Sequence, residues 1–458
     1  MLKEQESVLT VLQQKLGLNS ETAKVLVVGL GSTGLSVARF LKNIGLQFAI
    51  VDSRNKPPEI DRMVEEMPDV AVFTGGFDQA AFEVATHLLV SPGVSLDELS
   101  IQKSMQAGCQ VVSDIDLFAC ATDKPIVAIT GSNGKSTVTT LLGEMAKHAG
   151  IDAAIGGNLG VPALDLLQQS ASITVLELSS FQLERTSVLE PVAATVLNVS
   201  DDHLDRHQSL ERYAAEKQRI FNGQGVMVLN RDDPRVMVMR EAGRTVRTFS
   251  VQQQADYYWD QQQNMLMAGD EAVMPATELA LQGLHNIANA LAAIALADAA
   301  GFKREPMRQA LRRFQGLPHR MQTVAEVNGV QWINDSKATN VGACVAALNG
   351  FDRNVVLIAG GDAKGADLSA LTPAVAEHCK AVIVMGKDGA LIADSVTDDM
   401  PRYTAEHMNE AVEMAHKVAK KGDVVLLSPA CASLDQYKNY RQRGDKFTRA
   451  VKQQVQSI

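Results

Sequence analysis

Thr130-Gly131-Ser132-Asn133-Gly134-Lys135-Ser136-Thr137 places two glycines, a lysine and two hydroxyls between a β-branched run (PIVAIT) and a helical pattern (TVTTLLGEMAKHAG). Such a loop handles phosphate. Glycines let backbone N–H groups close on phosphate oxygens, Lys135 neutralises their charge, and the hydroxyl of Ser136 can reach magnesium. Two residues rather than four separate Gly131 from Gly134, so the loop is a variant of GxxxxGK[ST]. The bland alternative is a tight glycine turn before an ordinary helix, and the complete GKST disfavours it. Glu177 closes a later apolar run (ITVLEL), and Asp201-Asp202-His203 follows another (AATVLNVS). In an open parallel sheet the carboxyl ends of the strands lie on one side. The loop, Glu177 and His203 should therefore converge on one crevice. There a hard cation would take carboxylate and phosphate oxygens and tolerate a single imidazole. Taken alone, Glu177 reads equally well as a helix cap and His203 as a turn residue.

Gly29-Leu-Gly31-Ser-Thr-Gly34 is a GxGxxG after the run KVLVVG, with Asp52 ending the next run, QFAIVD. The pattern suits any nucleotide diphosphate at a helix N-terminus, so NAD is one reading and not the only one. Asn286 and Asn289 open an Ala-rich helix and share a face; they suit the edge of an adenine, or else a cap and an exposed amide. In the last third, Leu317-Pro-His319-Arg320, Asn334-Asp335-Ser336-Lys337-Ala-Thr339-Asn340, Gly360-Gly361-Asp-Ala-Lys364 and Ser428-Pro429-Ala-Cys431-Ala-Ser433 are polar loops. The last three each follow a strand-like run, where ligand contacts or plain solvated turns are expected. Cys431 lacks the sequence signature of a nucleophile paired with histidine and reads as a small buried thiol. Lys217, in SLERYAAEKQRIF, reads from the residues alone as a solvated helix lysine.

The elements that must carry these groups alternate. Apolar runs at 24–29, 47–52, 88–90, 126–130, 174–178, 194–199, 226–230, 355–359, 381–385 and 424–427 are interleaved with helical patterns, which argues for βαβ units and parallel sheets. They are too many for one sheet. Composition shifts near Ser113 and Gly316 divide 458 residues into 1–113, 114–316 and 317–458. The Gln-rich, aromatic stretch 251–263 reads as an antiparallel hairpin at the edge of the middle domain.

A formal charge of −10 gives no global basic field for nucleic acid or anionic lipid. Five widely spaced cysteines without CxxC argue against a disulfide framework or a zinc site and point to a reducing, cytoplasmic setting. The N-terminus lacks the apolar core of a signal peptide. The most apolar run, 288–300, is interrupted by Asn289 and Asp298 and reads as a buried helix, so no membrane insertion is expected.

Together, TGSNGKST, ELSSFQLE, DDHLDRH, LHNIANA, LPHR, NDSKATN, GG-x-x-K and SLDQYKNYRQRGDKF resemble the Mur ligase family, and within it the branch that adds D-glutamate. The resemblance runs from about Lys24 to the end; the first 20 or so residues are assigned no role. It implies an α/β fold of three domains: a Rossmann-like one for the UDP end of the substrate, a central P-loop-type ATPase, and a Rossmann-like one that closes and binds the amino acid. It reassigns the GxGxxG to UDP, with Ser32, Thr33, Asp52, Ser53, Arg54, Ser91 and Gly93 matching the uridine-nucleotide site. Gly131, Ser132, Asn133, Gly134, Lys135, Ser136 and Thr137 would hold ATP, with Asn286, Asn289, Arg320 and Asp335 as further nucleotide contacts. Ser136, Glu177 and His203 would hold magnesium, with Asn158 beside the transferred phosphoryl group and Ser179 near the reacting groups. Lys217 matches a lysine carboxylated by CO₂, which would orient a second Mg²⁺. Lys337, Thr339, Lys364, Ser433 and Tyr440 match the D-glutamate and closure site. The implied activity is ATP-dependent ligation of D-glutamate to UDP-N-acetylmuramoyl-L-alanine in peptidoglycan precursor synthesis, by a monomer. Competing readings are a nicotinamide dehydrogenase, which leaves the GKST loop without a purpose, and a P-loop switch or motor, which leaves the last loops without one. A neighbouring Mur ligase or a folylpolyglutamate synthase would share the ATP site.

Overall fold

A computed structural model describes residues 5–202, 204–281, 283–351, 354–397 and 399–456. The chain forms two compact units. The first takes most of the residues before Arg313; the second takes Arg313 onward together with Ser200–Asp202 and Leu279–Ala288. The fold is α/β with mainly parallel sheets, as the alternating runs predict.

The first unit contains two sheets. One is wholly parallel, in the order Val72–Thr74, Phe48–Asp52, Val25–Val28, His87–Val90, Gln110–Val112. Its middle strands are buried on both faces, which is why they read as continuous apolar runs rather than alternating ones. The order reverses between Val25–Val28 and His87–Val90, so the loops after these strands part at a topological switch point, where open α/β sheets bind ligands. Gly34 is needed there because a Cβ would stand 2.0 Å from the Gly29 carbonyl oxygen. The helix Gln5–Leu16, to which the sequence assigned no role, buries Val8, Leu12 and Leu16, a four-residue spacing that makes one apolar face.

The second sheet has nine strands. Seven, from Ala153–Gly157 to Tyr257–Asp260, run parallel, and the strand Ile126–Thr130 lies between Ala193–Val196 and Ile173–Glu177. The stretch 251–263 is not itself a hairpin. Only its Tyr257–Asp260 part is a strand, and its antiparallel partner is Met265–Ala268. The Asp232 carboxylate accepts from the Val251 N–H and the Ser250 hydroxyl, and Ser250 Oγ accepts from the Gln252 and Gln253 N–H groups, which bends the start of this stretch.

The second unit carries a six-stranded sheet in the order Gln322–Val327, Val330–Asn334, Val424–Leu427, Val355–Gly360, Cys379–Met385, Arg402–Thr404. All pairs are parallel except the first, a hairpin turned by Asn328 (φ 52°) and Gly329 (φ 75°). The loops Asp335–Asn340, Gly361–Lys364 and Ser428–Ser433 thus leave the same edge of the sheet.

Candidate active site

The phosphate loop links the strand Ile126–Thr130 to the helix Lys135–His148. Asn198, two residues past the neighbouring strand Ala193–Val196, shapes it. Its carbonyl accepts from Ser132 N–H at 2.9 Å and its side-chain oxygen from Asn133 N–H at 2.8 Å. Gly134 caps the helix at φ 84°, and a Cβ there would lie 2.4 Å from Asn289 Oδ1. The loop glycine and the Asn289 amide therefore pack directly together. Lys135 Nζ folds back to the carbonyls of Gly131 (2.7 Å) and Ser132 (3.0 Å). Ser136, in the first helical turn, is buried.

Lys217 overturns the reading of a solvated helix lysine: it is only 1% exposed. The helix Leu210–Gln218 turns Tyr213 and Lys217, four residues apart, onto one face toward the loop. Lys217 Nζ donates to the Gly131 carbonyl at 3.0 Å and lies 4.3 Å from the centre of the Tyr213 ring, whose hydroxyl accepts from Ser132 Oγ at 3.2 Å. Two lysines thus share one carbonyl oxygen at the mouth of the loop.

Glu177 sits opposite Ile129 in the adjoining strand, so its carboxylate and the phosphate loop emerge from one sheet edge. It is 2% exposed. One carboxylate oxygen accepts from Asn158 Nδ2 at 2.7 Å, while the other is buried and meets no protein donor. A lone buried acceptor of this kind costs free energy, and a hard divalent cation would satisfy it. Among the described residues no cluster of three or more His, Cys, Asp and Glu side chains forms a ready-made metal cage. Glu177 would therefore share its ion with phosphate oxygens, as magnesium sites do. His203, the imidazole expected there, lies outside the described residues. Asp202 belongs to the second unit, where its Oδ2 accepts from Asn340 Nδ2 at 3.4 Å.

Asn158 also lines a cleft of about 480 Å³ in the same unit, with Gly29, Gly31, Ser32, Thr33, Asp52, Ser53, Arg54, Ser91 and Gly93 on its other wall. Both oxygens of Asp52 are occupied: one accepts from the Leu30 N–H at 2.7 Å and the other from Arg54 Nε at 2.8 Å. Burial pushes this carboxyl up, but the Arg54 and Leu30 hydrogen bonds outweigh it and hold it below the usual carboxylate range. Asp52 therefore stays ionised and fixes the glycine turn and the Arg54 fork, rather than standing free for ribose hydroxyls. Phe77, Pro162 and Gln182 line the cleft too and were missed in the sequence. Gln182 was findable, because Ser179 and Gln182 form a capping box, an S-x-x-Q spacing. Its Nε2 donates to the buried Asp114, whose carboxyl burial pushes up to about 6.

In the second unit, Asp335 is buried, accepting from the Ser428 hydroxyl at 2.9 Å and the Met321 N–H at 3.2 Å, and burial pushes it up to about 7. Arg320 lies between two residues held at positive φ, His319 at 65° and Met321 at 45°, a strained turn of the kind found at ligand sites. Lys337 Nζ stacks 4.2 Å from the centre of the Tyr440 ring, and the Tyr440 carbonyl accepts from Ser336 Oγ at 2.8 Å. The Tyr440 hydroxyl, in turn, accepts from Arg441 Nε at 3.4 Å. Lys364 is exposed at φ 52°, Thr339 is half-buried and Ser433 is buried. Cys431 is fully buried, and that burial pushes its thiol up to about 12, in keeping with a small buried thiol rather than a reactive thiolate. Asn286 is buried in the first turn of the helix Leu284–Ala299.

Residues 23–113 match the Mur ligase MurD-like N-terminal domain, 129–297 the Mur ligase middle domain and 319–431 the Mur ligase glutamate ligase domain. The UDP-N-acetylmuramoylalanine–D-glutamate ligase of Methylococcus capsulatus is 52% identical over 443 residues, 96% of each chain. That of Marinobacter nauticus is 47% identical, over 93% of this chain and 98% of its own. Among solved structures, MurF from Acinetobacter baumannii superposes with a TM-score of 0.59 at 17% identity, covering 97% of this chain and 98% of its own. The UDP-N-acetylmuramate–alanine ligase MurC of Thermotoga maritima gives 0.58 at 19% identity, covering 94% and 99%. The chain belongs to the Mur ligase family.

Proposed function

We propose that this protein joins D-glutamate to UDP-N-acetylmuramoyl-L-alanine at the expense of ATP, as a cytoplasmic monomer supplying peptidoglycan precursor. The observation that carries this reading is the junction at Glu177 and Asn158. A phosphate loop and a nucleotide-sized cleft meet there within one unit, bridged by a carboxylate with one unsatisfied oxygen. A dehydrogenase has no use for the loop, and a motor has none for the cleft. The segments 1–113, 114–316 and 317–458 serve as the UDP-substrate, ATP and amino-acid parts. Four buried cysteines and one half-buried one, all free, suit a reducing compartment.

A carboxylate resists attack by an amine. The terminal carboxylate of the substrate therefore first takes the γ-phosphoryl group of ATP, becoming an acyl phosphate. The amine of D-glutamate adds to its carbonyl, and collapse of the tetrahedral adduct expels phosphate and leaves the amide. The loop N–H groups and Lys135 hold the phosphates in line; Lys135 leaves its loop carbonyls to do so. Asn158 orients the Glu177 carboxylate and reaches the cleft where the acceptor lies. Two magnesium ions, held by Ser136, Glu177, His203 and Lys217, would neutralise the charge that builds on the transferring group. Lys217 enters this set as a carbamate: its neutral amine adds to CO₂ and loses a proton, leaving an anion with two oxygens.

Lys337, Thr339, Lys364, Ser433 and Tyr440 recognise the two carboxylates of the amino acid. A site built of such groups leaves them unpaired when the substrate is inverted or shortened. D-glutamate should therefore be preferred over L-glutamate and D-aspartate on the order of 10⁴-fold in kcat/KM. Steady-state phosphate release with each amino acid measures this, and comparable turnover of the L isomer overturns the assignment.

A further inference from the structure

The wall of the cleft formed by residues 91–94 is held from behind by a charged group that the reaction itself does not use. Arg185 follows the helix Ser180–Leu183 of the ATP half, and its side chain is wholly buried. Its guanidinium reaches across to the other sheet. Nη1 donates to the carbonyls of Val90 (3.0 Å) and Ser91 (2.9 Å), and Nη2 to that of Val94 (3.3 Å). Arg206 Nη2 donates to the same Val94 carbonyl at 3.2 Å, and the Glu184 carboxylate accepts from both arginines at 2.9 and 3.0 Å. The turn so gripped touches the glycine loop: Ser91 Oγ donates to the Gly29 carbonyl at 2.9 Å, and a Cβ on Gly29 would meet Ser91 and Val94 at 3.0 and 3.1 Å.

As a stabilising device this is a poor one. Burial lowers the affinity of Arg185 for its proton, and its Nε is buried with no partner. Replacing buried charged groups by apolar side chains of similar volume is often neutral or stabilising. What the arrangement supplies is geometry. One rigid fork fixes three carbonyls of a single turn from the ATP half of the unit, and thereby fixes Ser91 and Gly93, which face the cleft. We infer that Arg185, backed by Arg206 and Glu184, is a positioning residue that sets the substrate turn for the nucleotide end of the UDP-substrate. The inference rests on the reading of this cleft as the UDP site.

The test is calorimetric titration of the full-length protein with UDP, combined with KM for the UDP-substrate and for ATP and with thermal melting. Arg185→Met should melt at or above the wild-type temperature, yet bind UDP about 10-fold more weakly. KM for the UDP-substrate should rise in parallel, and KM for ATP should stay within about twofold. Arg185→Lys, which keeps the charge but not the fork, should fall between the two. Wild-type UDP affinity in either variant overturns the inference. If Arg185→Met does not fold, Arg206→Met, at a side chain 15% exposed, replaces it. It should weaken UDP about threefold, and no change there overturns the inference as well. A wild-type protein that does not bind UDP overturns the reading of the cleft itself, and the inference with it.

Discussion

Replacing Lys217 with alanine should lower ligation on the order of 10⁵-fold, the scale seen when one member of a catalytic set is removed. Addition of a small carboxylic acid such as acetate should restore part of the lost rate. The argument is geometric. Lys217 is buried, and it shares the Gly131 carbonyl with Lys135. Two lysine head groups on one carbonyl oxygen repel each other whenever both carry a proton. Conversion of one to a carbamate turns that repulsion into attraction and supplies two anionic oxygens of the kind magnesium prefers. Acetate carries the same pair of oxygens and fits the space that the lysine side chain vacates. Lys217→Arg should be as inactive as the alanine variant but refractory to acetate, because its fork fills the space and stays charged. Activity is read as phosphate release at rising acetate, with melting curves to establish that each variant is folded. Full activity of Lys217→Ala without added acid would remove the carbamate from the account.

Lys135→Ala should be about as damaging, since cationic groups on the transferring phosphoryl group are worth up to about 10⁵-fold in such reactions. Its origin differs, and so should its signature. Asn198 and Gly134 still hold the loop when the two Lys135 hydrogen bonds to its carbonyls are lost, so the variant should melt close to the wild type and still bind the UDP-substrate. Acetate should not rescue it, because the missing group is a cation. A purified, folded Lys135→Ala enzyme with near wild-type turnover would contradict the assignment of this loop to the γ-phosphate.

The elements that carry the chemistry were legible wherever local chemistry dictates them. The strand Ile126–Thr130 is buried on both faces, so its sequence is uninterrupted, and Gly131-Ser-Asn-Gly134-Lys135 marks the loop between it and the helix Lys135–His148. The clamp on the substrate turn was not legible. Arg185 and the Val90, Ser91 and Val94 carbonyls are more than 90 positions apart, and a carbonyl has no residue identity to read. The burial of Lys217 was obscured by its helix. LERYAAEKQ has few large apolar residues, and only Tyr213, one turn earlier, marks the buried face. The short strands Val72–Thr74, Gln110–Val112 and Arg402–Thr404 escaped because three residues exist as strands only through the ladder of a neighbour. Other signals were present and passed over: the four-residue spacing of Val8, Leu12 and Leu16, and the Asn328-Gly329 dipeptide of a two-residue hairpin. The residues alone left UDP and NAD open for the GxGxxG loop. The hydrogen bonds that occupy Asp52 do not separate the two, since both ligands carry a ribose; the match of residues 23–113 to the Mur ligase MurD-like N-terminal domain weighs against NAD.

The central claim is that the ATP loop and the cleft act on one carboxylate, which is phosphorylated before it meets an amine. The most direct measurement supplies UDP-N-acetylmuramoyl-L-alanine labelled with ¹⁸O in its terminal carboxylate, together with ATP and D-glutamate, and weighs the released phosphate by mass spectrometry. One carboxylate oxygen leaves with the phosphate when an acyl phosphate is the intermediate. The account therefore predicts one ¹⁸O in each phosphate formed, one phosphate per amide, and no phosphate when either the UDP-substrate or D-glutamate is withheld. Unlabelled phosphate, or phosphate release that needs neither partner, would contradict it.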